Sequence, residues 1–176
     1  MKKLLLLSMA IFIMSAVSAQ NTFYYPSKGT PIIKLKIPTD VWTVTNDETS
    51  LSFAPIDQSE SGRMISMIWK STNPGAEDAV TALVEESFDL VESLLSDVTW
   101  DEETSELEIN GISFVAIDGW GNYVNEDDSK DVMMATIMIF FPDEDNMLTF
   151  VYIGLETAYS KYKVQFIDII QSIESY

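Results

Sequence analysis

Residues 131–155 read DVMMATIMIFF, PDEDN and MLTFVYIGL, two apolar runs joined by a short polar segment. Pro, Asp and Asn are typical turn residues, so this stretch predicts an antiparallel hairpin with a solvated tip. A strand with one wet face alternates apolar and polar residues, whereas both of these runs are apolar at nearly every position. The apolar side chains of the first run therefore fall on two faces: Met133, Ala135, Ile137, Ile139 and Phe141 on one, and Val132, Met134, Met138 and Phe140 on the other. We expect this hairpin to lie at the centre of a sheet that is covered on both sides.

Two amphipathic segments are available to supply that cover. Residues 74–95 and residues 158–172 carry apolar side chains at the 3.6-residue period of a helix. Short runs of strand-like sequence precede and separate them, at 32–37, 41–44, 51–56, 64–69, 98–100, 107–109 and 112–117. This order lacks the strict strand-helix alternation of parallel α/β folds. The sequence therefore predicts an α+β fold, in which an antiparallel sheet of about seven or eight strands is flanked by two amphipathic helices.

Residues 1–19 have the composition of a secretory signal peptide. Lys2 and Lys3 precede a short apolar core, and Ala19 ends a run of small residues suited to cleavage. The apolar run is too short for a membrane-spanning helix. We therefore expect cleavage before Gln20, a flexible lead-in over residues 20–30 and a single domain over residues 31–176, with no transmembrane anchor after the signal is removed. Such a protein is soluble, in the periplasm or secreted.

The chain contains no cysteine and no histidine. The lack of cysteine excludes disulfides, a thiol nucleophile and the lipidated cysteine of a bacterial lipoprotein. The lack of histidine removes the usual zinc sites, the Ser-His-Asp triad and the imidazole acid or base. Because no recognisable catalytic constellation remains, the sequence predicts a non-enzymatic protein that needs no cofactor.

The charge balance is strongly acidic. The chain has 28 acidic and 10 basic residues, a net charge of −18, and loss of the two lysines in the signal makes the exported form more negative still. Such a surface repels nucleic acid and favours cations or basic partners. Solubility is the plainer explanation, because the acidic residues are spread along the chain.

The segment 125–131, NEDDSKD, is a candidate cation site. Asn125, Asp127, Asp128 and Asp131 offer oxygen donors of the kind that Ca²⁺ prefers. The segment lacks the EF-hand spacing, and Lys130 would lie inside the coordination shell. An acidic surface loop without an ion is the favoured interpretation. A carrier of a divalent cation or small ligand at this loop is the second functional hypothesis.

A hydrolase is the third hypothesis. Residues 101–103 and 143–145 are acidic triplets that would each supply one carboxylate to a paired acid-base site. Both triplets fall in predicted turns, which are ordinary positions for Asp and Glu. Arg63, the only arginine, is interpreted either as an anion clamp or as a turn residue paired with a nearby acid.

Trp120 and Tyr123 form the most suggestive candidate binding surface. They stand beside Gly119 and Gly121, just before the acidic loop. Glycine permits a backbone to bend or a ligand to approach closely, and aromatic residues are enriched at interfaces. The alternative is that Trp120 is a strand-end residue that closes the core.

The sequence resembles the PsbP-like family, which includes photosystem extrinsic proteins, a Ran-binding protein and bacterial envelope proteins of the DcrB type. The matching features are Ile37-Pro38 followed by Trp42, the acidic helix from Pro74, the turn Ile109-Asn110-Gly111, and FIDIIQSI at residues 166–173. The resemblance implies the family's topology and a non-enzymatic role in binding another protein, but no specific site residue. We therefore expect an exported binding or accessory module of the cell envelope or extracellular space.

Overall fold

The computed structural model describes residues 20–57, 59, 63–70 and 79–176. The predicted signal peptide, including Ala19, and the predicted start of the first helix at residue 74 lie outside the described residues. The elements within them are β1 (Gln20–Tyr25), β2 (Ile33–Pro38), β3 (Trp42–Asn46), β4 (Ser50–Pro55), β5 (Met64–Lys70), α1 (Ala79–Leu94), β6 (Ser96–Trp100), β7 (Ser105–Ile109), β8 (Ile112–Val124), β9 (Lys130–Phe141), β10 (Leu148–Leu155), α2 (Glu156–Gln171) and β11 (Glu174–Ser175).

The predicted hairpin, β9 and β10, lies at the centre of an eight-stranded sheet. The strand order is β3-β4-β5-β10-β9-β8-β6, with β7 also paired to β8. All of these pairs are antiparallel, as predicted for an α+β fold. The turn between β7 and β8 has positive φ at Asn110 (51°) and Gly111 (79°), the conformation for which Asn-Gly is favoured in two-residue hairpins.

A second, smaller sheet has the order β1-β2-β11. The predicted first strand is β2 and belongs to this sheet, not to the large one. Residues 20–25, which the sequence analysis assigns to the lead-in, form β1 and pair with β2 from Gln20↔Pro38 to Tyr25↔Ile33. Because most of β1 is polar and exposed, it lacks the periodicity that marks the other strands.

The two helices cover opposite faces of the large sheet, as expected for a central hairpin that is apolar on both faces. α1 packs on what we call the α1 face, where Ala135, Ile137 and Ile139 of β9 belong to an aliphatic core cluster. α2 packs on the α2 face, with Met138 and Phe140 in a second cluster. The small sheet adds to the second cluster through three fully buried residues of β2, namely Ile33, Leu35 and Ile37.

Candidate functional site

β8 places the two predicted binding residues, Trp120 and Tyr123, on opposite faces of the large sheet. β8 pairs with β9 in unbroken register over residues 113–124, so its side chains alternate between the two faces. Trp120 lies opposite Met134, which packs against the α2-face core. Tyr123 lies on the other side, where it lines a cleft together with Leu95. The two residues therefore belong to two surfaces and do not form one site.

The glycines beside Trp120 allow β8 to approach its neighbours closely. A Cβ atom on Gly119 would lie 2.6 Å from Cε3 of Trp100 and 2.8 Å from the carbonyl oxygen of Thr99. A Cβ atom on Gly121 would lie 2.8 Å from Cβ of Leu95. Glycine within a strand commonly marks such close approaches. These two glycines therefore serve internal packing, and β8 continues through both of them.

Trp120 belongs to an exposed apolar strip on the α2 face, which we call the Trp120 strip: Trp120, Val124 and Val132. Trp120 is 41% exposed and Val132 is 62% exposed, so Trp120 is not a core residue. Val132 is paired with Asn122, two residues from Trp120, which makes Trp120 and Val132 diagonal neighbours. An aromatic side chain reaches a diagonal neighbour across a strand pair. Trp120, Val124 and Val132 therefore lie close together on this face, with the amide of Asn122 between Trp120 and Val124.

Polar groups border the Trp120 strip. Asp118 accepts a hydrogen bond from the Thr136 hydroxyl across the β8–β9 pair. Asp97 accepts hydrogen bonds from Nζ of Lys130 and Nδ2 of Asn122, both at 3.2 Å. The bond from Lys130, followed by that from Asn122, lowers the pKa of Asp97. The border thus carries two carboxyl side chains, those of Asp97 and Asp118, beside an apolar centre.

Tyr123 belongs to a cleft of about 380 Å³ on the α1 face, which we call the Tyr123 cleft. The cleft crosses five adjacent strands, β4, β5, β10, β9 and β8, and is bounded by the C-terminal end of α1. Its lining consists of Ala54, Pro55, Arg63, Met64, Ile65, Leu94, Leu95, Tyr123, Met133 and Ile153. Met133, Ile153 and Leu95 are buried, whereas Ile65, Leu94 and Tyr123 are exposed at the rim. Eight of these ten residues are apolar, and the polar groups are confined to Arg63 and Tyr123.

Arg63 connects the Tyr123 cleft to the acidic loop. Its Nη1 donates to Oδ1 of Asn125 at 3.2 Å and to Oδ2 of Asp131. Its guanidinium carbon lies 6.0 Å from the centre of the Tyr123 ring, within range of a cation–π contact. The interpretation of Arg63 as a residue paired with a nearby acid is confirmed. Both of these hydrogen bonds use Nη1, so Nε and Nη2 have no hydrogen-bond acceptor among the described residues.

The acidic loop satisfies much of its own hydrogen bonding. Asn125 donates from Nδ2 to Asp131 at 2.8 Å and to the Ser129 hydroxyl at 3.0 Å. Asp127 accepts from the backbone N–H and hydroxyl of Ser129, and the hydroxyl bond is the main reason why the pKa of Asp127 is lowered. Asp128 adopts positive φ (63°), and its N–H donates to the carbonyl of Asn125.

Of the four predicted cation ligands, the structure joins Asn125 and Asp131 directly, and both of them contact Arg63. Asp127 is engaged with Ser129. Over the described part of the chain, no group of three or more acidic side chains is arranged to hold a metal ion. The guanidinium of Arg63 supplies positive charge to this loop. The second hypothesis, a cation site at this loop, stays untested.

The two acidic triplets lie in turns, as predicted. Residues 101–103 follow β6, and residues 143–145 form the tip between β9 and β10. Asp143 accepts hydrogen bonds from Nδ2 of Asn146 and from the backbone N–H of Asp145, and the Asn146 bond is the main cause of its lowered pKa. Asp143 therefore stabilises the turn that connects the central hairpin. The hydrolase hypothesis stays untested.

Ile65 and Leu94 are site residues that the sequence analysis did not find. β5 is apolar on both faces, and this is the same signal that predicted two-sided cover for the central hairpin. Ile65 sits opposite Ile153 in the β5–β10 pair. Periodicity alone does not show which apolar residue of β5 stays uncovered. That depends on where α1 ends.

The fold is PsbP-like. The solution structure of cyanobacterial PsbP (CyanoP) from Synechocystis sp. PCC 6803 is similar to this chain with a TM-score of 0.52 and 10% identity, over 93% of this chain and 96% of that chain. LpqN of Mycobacterium tuberculosis, described as involved in cell envelope biogenesis, has a TM-score of 0.52 and 13% identity, over 89% and 90%. The Ran-binding protein Mog1p of Saccharomyces cerevisiae has a TM-score of 0.50 and 9% identity, over 88% and 94%. At these identities the likeness shows the fold alone, and it confirms the predicted resemblance.

No family model matches the sequence, and no curated protein matches it. Within the described ranges, neither helix is long and apolar enough to cross a membrane.

Proposed function

We propose that this protein is an exported, non-enzymatic binding module of the cell envelope or extracellular space, and that it docks on a protein partner through the Trp120 strip. The observation that carries the proposal is the exposure of a tryptophan and two valines close together on one sheet face. Tryptophan is among the residues most enriched at the energetic centre of protein interfaces.

The position of the strip supports this role. Met134 and Tyr159 pack partly buried against the α2-face core, so the strip begins where that core ends. A continuous apolar patch with a polar border is typical of an interaction site, whereas single exposed apolar residues are ordinary. The strand pair that carries the strip is the most extensively paired in the sheet, which holds the strip in a fixed geometry before binding.

The charge of the surface favours a partner with a basic rim. Asp97 and Asp118 border the strip, and the whole chain has a net charge of −18. Complementary charge around an apolar centre steers association and disfavours acidic competitors. The partner we propose is therefore a protein that offers an apolar side chain or shallow pocket surrounded by Lys or Arg.

Two observations support the proposed location of the protein in the cell envelope or extracellular space. Residues 1–19 have the sequence of a signal peptide, and the similar protein LpqN is described as involved in cell envelope biogenesis. The absence of cysteine and histidine from the sequence supports a non-enzymatic role.

The test compares Trp120→Ala with Val115→Ala. Val115 is also an exposed apolar residue of β8, but it lies on the opposite face and outside both candidate surfaces. Each form is immobilised, proteins captured from envelope extract are identified, and the affinity of the purified partner is then measured at low and physiological salt. We expect Trp120→Ala to weaken that partner by about tenfold or more, as truncation of a hot-spot residue does. Val115→Ala should leave the affinity unchanged, and salt should weaken wild-type binding.

Circular dichroism of both variants establishes that they are folded. A partner that binds Trp120→Ala and wild type equally well would remove the strip from the proposal. An acidic partner whose binding salt does not weaken would remove the charge argument.

A further inference from the structure

The Tyr123 cleft is a second surface that the proposed protein interaction does not use. It lies on the α1 face, whereas the Trp120 strip lies on the α2 face. Its volume of about 380 Å³ is within the range of pockets that bind small ligands. Apolar walls with a few polar groups at one place are also the usual composition of such pockets.

The walls of the cleft fit an aliphatic group. Ile65, Ile153, Met133 and Leu95 lie along one side and the floor, and Leu94 stands at the rim. Burial of each additional methylene group against such walls raises the affinity by about fourfold. The side chains of methionine and leucine also adapt to a chain of irregular shape.

The polar end of the cleft offers hydrogen-bond donors. The Tyr123 hydroxyl makes no hydrogen bond to any described residue, and Nε and Nη2 of Arg63 have no acceptor among them. Both groups lie at the rim, where the cleft adjoins the acidic loop. A ligand head placed there must therefore accept hydrogen bonds.

The charge at that end favours an uncharged head. Asp131 already compensates the positive charge of Arg63. A carboxylate or phosphate would add an unbalanced negative charge to a chain whose net charge is −18. A carbonyl oxygen of an ester or amide accepts the same hydrogen bonds without this repulsion.

We infer that the Tyr123 cleft binds a small amphiphile, an aliphatic chain joined to an uncharged head that carries a carbonyl group. The chain lies over Ile65 and Ile153, and the carbonyl oxygen accepts from the Tyr123 hydroxyl and from Arg63. This inference does not rest on the proposed protein interaction, since the two surfaces share no residue.

The probes are three amphiphiles with chains of ten carbon atoms, counting the carbonyl carbon where there is one, and with different heads. N-Decanoyl-N-methylglucamine has an uncharged amide, decanoate has a carboxylate, and decyltrimethylammonium has a cation. Binding to the mature protein is measured by isothermal titration calorimetry below the micelle concentration of each probe, at physiological salt. We expect the uncharged amide to bind most tightly. Tighter binding of the ammonium probe through the cleft would overturn the assignment of the head.

Two variants and one control locate the binding. Ile65→Trp fills the cleft from an exposed position, and we expect it to weaken the amide probe by about tenfold or more, as loss of a buried apolar contact does. Tyr123→Phe removes only the hydroxyl, and we expect a loss of about threefold to tenfold. Val115→Trp adds the same bulk to an exposed strand position outside the cleft, and it should bind as wild type does. Circular dichroism checks the fold of each variant.

Vesicles of phosphatidylcholine separate a free amphiphile from an acyl chain that stays in a bilayer. Binding of the free amide probe that Ile65→Trp abolishes supports the inference. Binding to vesicles alone, or absence of binding of all three probes to the folded wild-type protein, overturns it. If Ile65→Trp instead abolishes capture of a protein while the probes do not bind, the cleft accepts a protein side chain and the inference is wrong.

Discussion

The two faces of the large sheet are closed to different extents. A helix with its side chains is about 10 Å across, whereas seven strands spaced about 4.8 Å apart span roughly 29 Å. One helix therefore cannot cover a face. On the α2 face, α2 is joined by β2, whose apolar side chains are fully buried. On the α1 face, α1 is the helix that covers the described strands, and the Tyr123 cleft lies at its C-terminal end.

The two cores also differ in the kinds of side chain that fill them. The α2-face core contains a chain of aromatic contacts: Trp42 with Phe53 at 5.6 Å, Phe53 with Phe150 at 6.2 Å, and Phe150 with Phe166 at 5.8 Å between ring centres. The α1-face core is mainly aliphatic. Aromatic rings fill the α2-face core, and the Trp120 strip lies outside it, whereas the Tyr123 cleft reaches the aliphatic core through Leu95, Met133 and Ile153.

The largest expected effect comes from truncating a ring on the closed face. Phe150 is fully buried, and Phe150→Ala should lower the free energy of unfolding by about 3–5 kcal/mol because a cavity remains among rigid neighbours. Phe88→Ala on the α1 face is the matched substitution. Phe88 contacts Trp100 at 4.6 Å between ring centres but is only half-buried, so we expect a loss of about 1–3 kcal/mol. Urea denaturation followed by circular dichroism measures both, and equal losses would contradict the difference between the faces.

The next effect tests the close packing of β8 against α1. Gly121→Ala brings a Cβ atom to 2.8 Å from Cβ of Leu95 and 3.0 Å from Cγ2 of Val98, so Leu95, which directly follows α1, or β6 must shift. Overpacking of this kind costs about 1–3 kcal/mol. Ser113→Ala, at an exposed position of the same strand, should change stability by about 0.5 kcal/mol or less. A Gly121→Ala protein as stable as wild type would mean that the helix end is free to move.

The centre of the fold could be predicted because its physical signal is local. Apolar residues at successive positions of the central hairpin indicate two covered faces, and the pair Asn110-Gly111 indicates a tight turn. The small sheet could not be predicted in the same way. β1 is mostly exposed and polar, and its pairing with β2, like that of β11 with β2, joins parts of the chain that no local pattern connects.

The candidate site was predicted in part. The sequence predicts Trp120 and Tyr123 as one surface because both stand beside two glycines and the acidic loop. The structure continues β8 through both glycines to Val124, and an odd spacing of three residues then places the two side chains on opposite faces. Arg63 was predicted to pair with a nearby acid, but its partners Asn125 and Asp131 lie 62 and 68 residues away in sequence.

Because Trp120 and Tyr123 lie on opposite faces of the sheet, we expect the stability losses of their variants to be additive. Trp120→Ala and Tyr123→Ala should each lower the free energy of unfolding by about 1 kcal/mol, because both side chains are about 40% exposed. The double variant should show the sum of the two losses within about 0.5 kcal/mol, as independent sites do. The same urea measurement on wild type, both single variants and the double variant completes the cycle. A coupling much larger than this would mean that the two surfaces communicate through β8.

The smallest expected effect concerns the pairing of β11 with β2 at low pH. β11 is held to β2 by an ion pair between Nζ of Lys34 and the carboxylate of Glu174 at 2.9 Å. The hydrogen bond from Lys34 is the main reason why the pKa of Glu174 is lowered. A carboxyl whose folded pKa is lowered stabilises the folded state above its unfolded pKa, and this stabilisation is lost as the pH falls through the folded pKa. Lys34 remains charged throughout this range, so protonation of Glu174 alone removes the pair.

Glu174→Gln should therefore lose less stability than wild type does as the pH falls from about 7, and the two proteins should converge once the pH is below the lowered folded pKa of Glu174. Because both partners are solvent-exposed, we expect only a small difference in the urea midpoint. Glu144→Gln, at the exposed tip between β9 and β10, is the control and should follow the wild-type acid dependence. The N–H of Tyr176 donates to the carbonyl of Ile32 at 3.0 Å, so its amide hydrogen exchange reports on the pairing of β11 with β2. Faster exchange at Tyr176 in Glu174→Gln at neutral pH, with exchange in the centre of β9 unchanged, is the expected pattern. Unchanged exchange at Tyr176 would mean that the backbone pairing of β11 with β2 closes this edge without help from the ion pair.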